Sequence, residues 1–181
     1  LYSSAASDVY KRQGLHCADG LDAEALWQAR EAGLTFAQME APGAVRMTPA
    51  EVLAVRADLV IPAATAGQIT AEMAARLQCR MILEIANGPI RPDAEQAVVE
   101  RGIEIIPDVV ANAGGITMSH FEWAQNRGGA LWTAEEAAAR LDTRMIATAS
   151  RMLQVSRDRK VSPAVAAQLL ALEQLSAALA L

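Results

Sequence analysis

The residues best placed to do chemistry lie in one stretch, PDVVANAGGITMSHFEW, from Pro107 to Trp123. An apolar strand pattern ends at Pro107, and Asn112-Ala113-Gly114-Gly115 then offers an amide side chain and two residues without β-carbons. Backbone at such residues can approach a flat ligand closely. The same four residues also suit an ordinary helix-entry turn, with Asn and Gly chosen for the dihedrals they tolerate. Two shorter stretches share the character of the first: Glu84-Ile85-Ala86-Asn87-Gly88-Pro89 and Pro62-Ala63-Ala64-Thr65. Each follows an apolar run and combines small residues with hydrogen-bonding groups. Taken singly they are weak, because Asn-Gly is also a plain turn dipeptide and paired alanines also pack beneath helices.

The elements that must position these stretches are legible in outline. Asp58–Pro62, Met81–Ile85 and Ile103–Pro107 are short, β-branched runs and predict buried strands. Gln68–Leu77 and Asp93–Arg101 have lengths that suit crossover helices of right-handed βαβ units. Alternation of this kind predicts an α/β domain with a mostly parallel sheet. In such open sheets ligands sit outside the carboxyl ends of the strands, where all three stretches would fall. Thr48-Pro49-Ala50-Glu51 and Thr133-Ala134-Glu135-Glu136 read as capping boxes, and Ser162-Pro163 as a further helix opening. Beyond Trp132 the pattern is helical. Leu141, Met145, Ala149 and Met152 form one apolar stripe, and Val165, Leu169, Leu172 and Leu175 form another.

Composition narrows the function classes. With 181 residues, 52% of them hydrophobic, the chain is long enough to bury a core. A net charge of −5 without a basic run argues against a nucleic-acid surface. The most apolar stretch, near the end, is interrupted by Gln168, Glu173 and Gln174, so no membrane span is expected. Cys17 and Cys79 are far apart and have no Cys/His pair beside them, so neither a disulfide framework nor a metal site is predicted. A reducing, cytoplasmic compartment is the expectation. Of the two histidines, His16 lies in the lead-in and His120 points away from its neighbour Ser119 on a helix, so neither is a candidate catalyst. Residues 1–13, LYSSAASDVYKRQ, resemble the translated adapter sequence found at the ends of reading frames assembled from environmental DNA. The other reading is a native flexible terminus. On either reading residues 1–13 stand outside the expected fold, and 14–181 form one unit.

Four segments in order carry a resemblance: GLDAEAL, ADLVIPAAT, EIANGP and GIEIIPDVVANAGGITMSHFEWAQN. They are similar to the C-terminal domain of the glutamate, leucine, phenylalanine and valine dehydrogenase family. RDRKVSPAVAAQLLALEQL resembles the closing helix of that family. The resemblance implies an incomplete Rossmann-like, doubly wound sheet followed by C-terminal helices. It is incomplete because no G-x-G-x-x-G turn precedes Asp58, which places the first βαβ unit upstream.

The resemblance also implies NAD or NADP as cofactor and oxidative deamination of L-glutamate to 2-oxoglutarate and ammonia. Asn112 resembles the residue that bonds the nicotinamide carboxamide, Asn87 the one facing the nicotinamide ribose, and Ala63 one that offers backbone to the cofactor. Ser119 resembles the contact to the substrate's side-chain carboxylate, and Ile116 takes the position that shapes the wall of that pocket. Proton chemistry in the family belongs to a lysine and an aspartate of the N-terminal domain. Here the only lysines, Lys11 and Lys160, match no catalytic motif. The expectation is therefore a chain with no catalytic residue of its own and no turnover alone. The full-length protein is expected to be a homo-oligomer, assembled through the other domain.

Three positions depart from the family pattern. Ile85 replaces a frequent Gly, Ile90-Arg91 a pair of threonines, and His120 a common Tyr. Two alternatives stay open: a branched-chain or aromatic amino-acid dehydrogenase, against which Ser119 argues, and a non-catalytic interaction module.

Overall fold

The computed structural model describes residues 3–8, 13–129 and 131–179. By contact density the chain divides into two compact units, Leu1–Ile82 with Gly88–Glu104, and Leu83–Asn87 with Ile105–Leu181.

The parallel sheet has the order β4-β5-β6, with β4 at Leu59–Val60, β5 at Met81–Leu83 and β6 at Glu104–Ile106. Leu59 lies opposite Met81 and Val60 opposite Ile82 in parallel register. On the other side of β5, Glu104 N–H donates to the Arg80 carbonyl and Glu84 N–H to that of Ile106. The strands lie where the short apolar runs put them, but they are buried at one residue each, Val60, Ile82 and Ile105, and Leu59 is exposed. Crossover helices α3 (Ala71–Arg76) and α4 (Pro92–Glu100) pack on each other and bury Met73, Ala74, Ala94 and Val98. The Thr70 hydroxyl accepts Met73 N–H and starts α3 three residues later than the sequence pattern suggests.

Residues 3–8 and 13–47 add a sheet that the pattern does not foretell. Antiparallel strands β1 (Ser3–Asp8), β2 (Gln13–Leu21) and β3 (Val45–Met47) follow one another, and α1 (Ala23–Glu31) lies between the last two in sequence. Leu15, Cys17, Leu21 and Met39 form its core. Residues 1–13, set aside from the fold on sequence grounds, thus contribute β1, with Ala6 opposite Leu15 and Ser7 opposite Gly14. Ladder hydrogen bonds join main-chain groups that every residue carries, so a strand can form where no alternation marks it.

Both expected capping boxes are present. Thr48 and Glu51 close one at the start of α2 (Pro49–Leu53), and Thr133 and Glu136 the other at the start of α7 (Ala134–Arg159). Hydrogen bonds from the Thr48 backbone and hydroxyl hold the Glu51 carboxyl below its ordinary pKa.

The second unit is helical: α5 (Asp108–Ala111), α6 (Ala113–Gly128), α7 and α8 (Pro163–Leu179). Val110 of α5, Met152 and Val155 of α7 and Ala166 of α8 make its core. The expected α7 stripe holds, with Leu141, Met145 and Ala149 half-buried and Met152 fully buried. The expected α8 stripe does not. Leu172 and Leu175 are 62% and 60% exposed, and the buried residue is Ala166. The apolar packing against α5 and α7 lies in the first half of α8, where a small side chain allows close approach, and farther along Glu173 pairs with Arg159 of α7 at 2.6 Å. Truncating Met152 to Ala should cost about 2–5 kcal/mol, because a fully buried side chain leaves a cavity. Urea denaturation followed by circular dichroism would measure the loss. Among the described residues no helix is long and apolar enough to cross a membrane.

Candidate functional site

At the end of β5 the chain runs through Glu84, Ile85, Ala86 and Asn87, and at the end of β6 it turns at Pro107 into α5. Asn112 closes α5 and opens α6, with φ −101° and ψ 6°. Its amide nitrogen donates to the Ile85 carbonyl at 3.2 Å and to Asn87 Oδ1 at 2.7 Å. The two asparagines singled out from sequence are therefore brought together, although 25 residues separate them. Both protons of the Asn112 amide are engaged. That leaves its Oδ1 as an acceptor and the Asn87 Nδ2 as a donor, the complement of a primary carboxamide.

Ile85, one of the departures from the family pattern, uses its backbone carbonyl to hold Asn112, and the residue is 36% exposed. Gly114 and Gly115 lie in the first turn of α6, and a β-carbon built on either meets no atom within 4 Å. Neither glycine is needed to make room for this chain's own atoms. In a helix each costs up to about 1 kcal/mol relative to Ala, so packing within the chain does not explain them.

Asn112, Ile116 and Ser119 recur at intervals of four and three, which puts them on one stripe of α6. Ile116 is 75% exposed, and Ser119 is exposed as well. Among the described residues none hydrogen-bonds the Ser119 hydroxyl. The opposite face of α6 carries Phe121, which meets Trp132 edge-on at 5.4 Å between ring centroids. Gln125 Oε1 accepts Trp132 N–H at 2.6 Å. These contacts anchor α6 by its far face and leave the Asn112–Ile116–Ser119 stripe open. A shallow groove of about 610 Å³ runs along the anchored side, where the Arg140 guanidinium lies 4.2 Å from the Trp132 ring. His120 stacks on Trp123 at 5.6 Å between ring centroids.

Ala63 follows β4 in the first unit and is exposed. Burial pushes the Cys79 thiol up, so it is no activated nucleophile, and the described residues hold no cluster suited to a metal ion. The functional group whose role the sequence did not disclose is Glu84. It is the one charged side chain buried among the described residues, and its Oε2 accepts Asp108 N–H at 3.1 Å. An acidic residue closing an apolar, β-branched run is the signal that could have found it.

An NADP-specific glutamate dehydrogenase of Synechocystis is 35% identical over 173 residues, covering 92% of this chain and 40% of the relative. An NAD-specific glutamate dehydrogenase of Staphylococcus aureus is 33% identical over 168 residues, covering 93% and 39%. The chain thus spans about 40% of the length of these relatives. A hetero-hexameric glutamate dehydrogenase from Thermus thermophilus, solved in its Leu-bound form, superposes with a TM-score of 0.77 at 27% identity, over 90% of this chain and 38% of that one. The sequence profile of the Glutamate/Leucine/Phenylalanine/Valine dehydrogenase family matches residues 5–181, and the chain belongs to that family.

Proposed function

We propose that this chain is the nicotinamide-holding part of an NAD(P)-dependent glutamate dehydrogenase, which converts L-glutamate and water to 2-oxoglutarate and ammonia. The observation that carries the reading is the Asn87–Asn112 pair, whose outward acceptor and donor suit the carboxamide of a nicotinamide. The open surface beside Gly114 and Gly115 adds room for a flat ring. When bound, the nicotinamide accepts the hydride from the α-carbon of glutamate. This chain's residues hold and orient: Asn112 and Asn87 fix the plane of the carboxamide, and Ala63 offers backbone to the cofactor. The Ser119 hydroxyl donates to the side-chain carboxylate of glutamate, and Ile116 walls its methylenes.

Both NAD-specific and NADP-specific relatives match, so either cofactor suits the chain. Proton transfer is assigned to residues outside this chain, and the complete protein is read as a homo-oligomer in the cytoplasm. Titration of the 15N-labelled chain with nicotinamide mononucleotide tests the core of the proposal. Perturbations should centre on the side-chain amides of Asn87 and Asn112 and the backbone amides of Gly114 and Gly115. A response that misses them would sink the reading.

Ile116 gives a second reading its one support: an apolar side chain 75% exposed beside Ser119 would also suit an apolar amino-acid substrate. The test is a chimera in which this chain replaces the matched portion of the Synechocystis enzyme. In it, Ser119→Val should lower kcat/KM for glutamate about ten- to a hundredfold, the worth of a hydrogen bond to a charged group. Apolar amino acids should lose far less, whereas equal losses would favour the second reading.

A further inference from the structure

A buried carboxylate has to be held by hydrogen bonds, and it holds its partners in return. Glu84 is 8% exposed at the end of β5, and its Oε2 accepts the backbone N–H of Asp108 at 3.1 Å. Asp108 is the first residue of α5, a single turn whose flanking Pro107 supplies no side-chain cap. Glu84 therefore caps α5 from another strand, doing what a local Ser, Thr or Asp does elsewhere. The other end of the same turn is Asn112, whose amide is tied to Ile85 and Asn87. Segment 84–87 thus grips segment 108–112 at both ends. The main chain adds a third tie, Glu84 N–H to the Ile106 carbonyl.

We propose that Glu84 is a positioning residue for Asn112. By fixing the start of α5 it sets where the turn ends, and so holds the Asn112 amide with nitrogen inward and oxygen outward. The idea rests on the reading of Asn112 as the residue that faces the nicotinamide. It adds that the orientation of this amide is set from a second strand and not by the Asn112 contacts alone. Two conservative variants separate the elements of the argument. Glu84→Gln keeps an oxygen that can accept Asp108 N–H at the same reach. Glu84→Asp keeps the charge but withdraws the oxygens by one methylene.

The experiment uses the whole 181-residue chain, 15N-labelled, with hydrogen exchange and nicotinamide mononucleotide titration read by NMR. For Glu84→Asp we expect the Asp108 backbone amide and the Asn112 side-chain amide to exchange about tenfold faster, and the mononucleotide to bind about tenfold more weakly. Protection in α7 and α8 should be unchanged. Glu84→Gln should stay within about twofold of the parent on each measure, as an uncharged acceptor of the same length permits. The proposal is overturned if Glu84→Asp leaves Asn112 unaltered or if Glu84→Gln releases it. It is equally overturned if Glu84→Asp strips protection from α7 and α8, which would make Glu84 a support for the whole unit. If the parent chain does not respond to the mononucleotide, the nicotinamide reading fails. The exchange rates of Asp108 and Asn112 then decide the role of Glu84 alone.

Discussion

Purified on its own, the 181-residue chain is expected to give no glutamate-dependent reduction of NAD or NADP at any pH. Oxidative deamination needs a group that takes and returns protons at the α-amino nitrogen and at the attacking water. Among the described residues, the titratable side chains tied to the segments that carry the Asn87–Asn112 pair are the carboxylates of Glu84 and Asp108. Glu84 is buried and engaged with Asp108 N–H, and Asp108 binds Val109 N–H with its own carboxylate. Neither lysine fills the gap. Lys160 terminates α7 in a left-handed conformation with φ 54°, and Lys11 lies outside the described residues. Holding a cofactor in place accelerates a reaction only if the second reactant is held against it. The absorbance of reduced nicotinamide, followed with saturating glutamate, checks the expectation. Turnover that scales with chain concentration and survives Asn112→Ala would refute both the expectation and the assignment of the site.

The second large effect is expected at Asn112 itself. In the chimera with the Synechocystis enzyme, Asn112→Ala removes two donated hydrogen bonds and the outward acceptor in a single change. The carboxamide is then free to rotate, and the ring loses its register against the substrate. Misplacement of about 1 Å costs on the order of a hundredfold in rate, so kcat/KM should fall by about that factor with either cofactor. Asn112→Asp is the sharper control. It keeps the outward oxygen but replaces the inward donor with a second acceptor facing Asn87 Oδ1 and the Ile85 carbonyl, so it should not restore the rate. Steady-state kinetics of the three chimeras, with circular dichroism to confirm folding, decide the matter. Near-parent activity in Asn112→Ala would remove this residue from the site.

How much of this was legible in the sequence differs element by element. β4, β5 and β6 were readable because each is a short apolar run with β-branched residues, although only one residue in each is buried, and α2 and α7 because their caps are side chains with fixed spacing. The antiparallel sheet of residues 3–47 was not readable. Its pairing is carried by main-chain groups, and β1 lies in a stretch whose composition argued against any structure. The second half of α8 misled in the other direction: an apolar helical stripe tells which face would be buried but not whether a neighbour reaches it.

At the candidate site, Asn87 and Asn112 were nameable from local motif and family resemblance. Their hydrogen bond was not, because it joins two stretches 25 residues apart. The part of Glu84 was hidden for the same reason. Its partner is a backbone N–H on another element, and backbone groups leave no trace in residue type.

The hydrogen bond between Asn87 and Asn112 has a consequence for quality control of folding. Asn87 lies four residues past the end of β5, so slippage of β5 by one residue would carry Ala86 or Gly88 into its place, and neither carries an amide. A molecule that presents the pair has therefore aligned its strands correctly. A ligand gripped by the pair stabilises only such molecules, in proportion to the logarithm of its concentration over its dissociation constant. Binding thereby selects the correctly threaded chain from its slipped isomers.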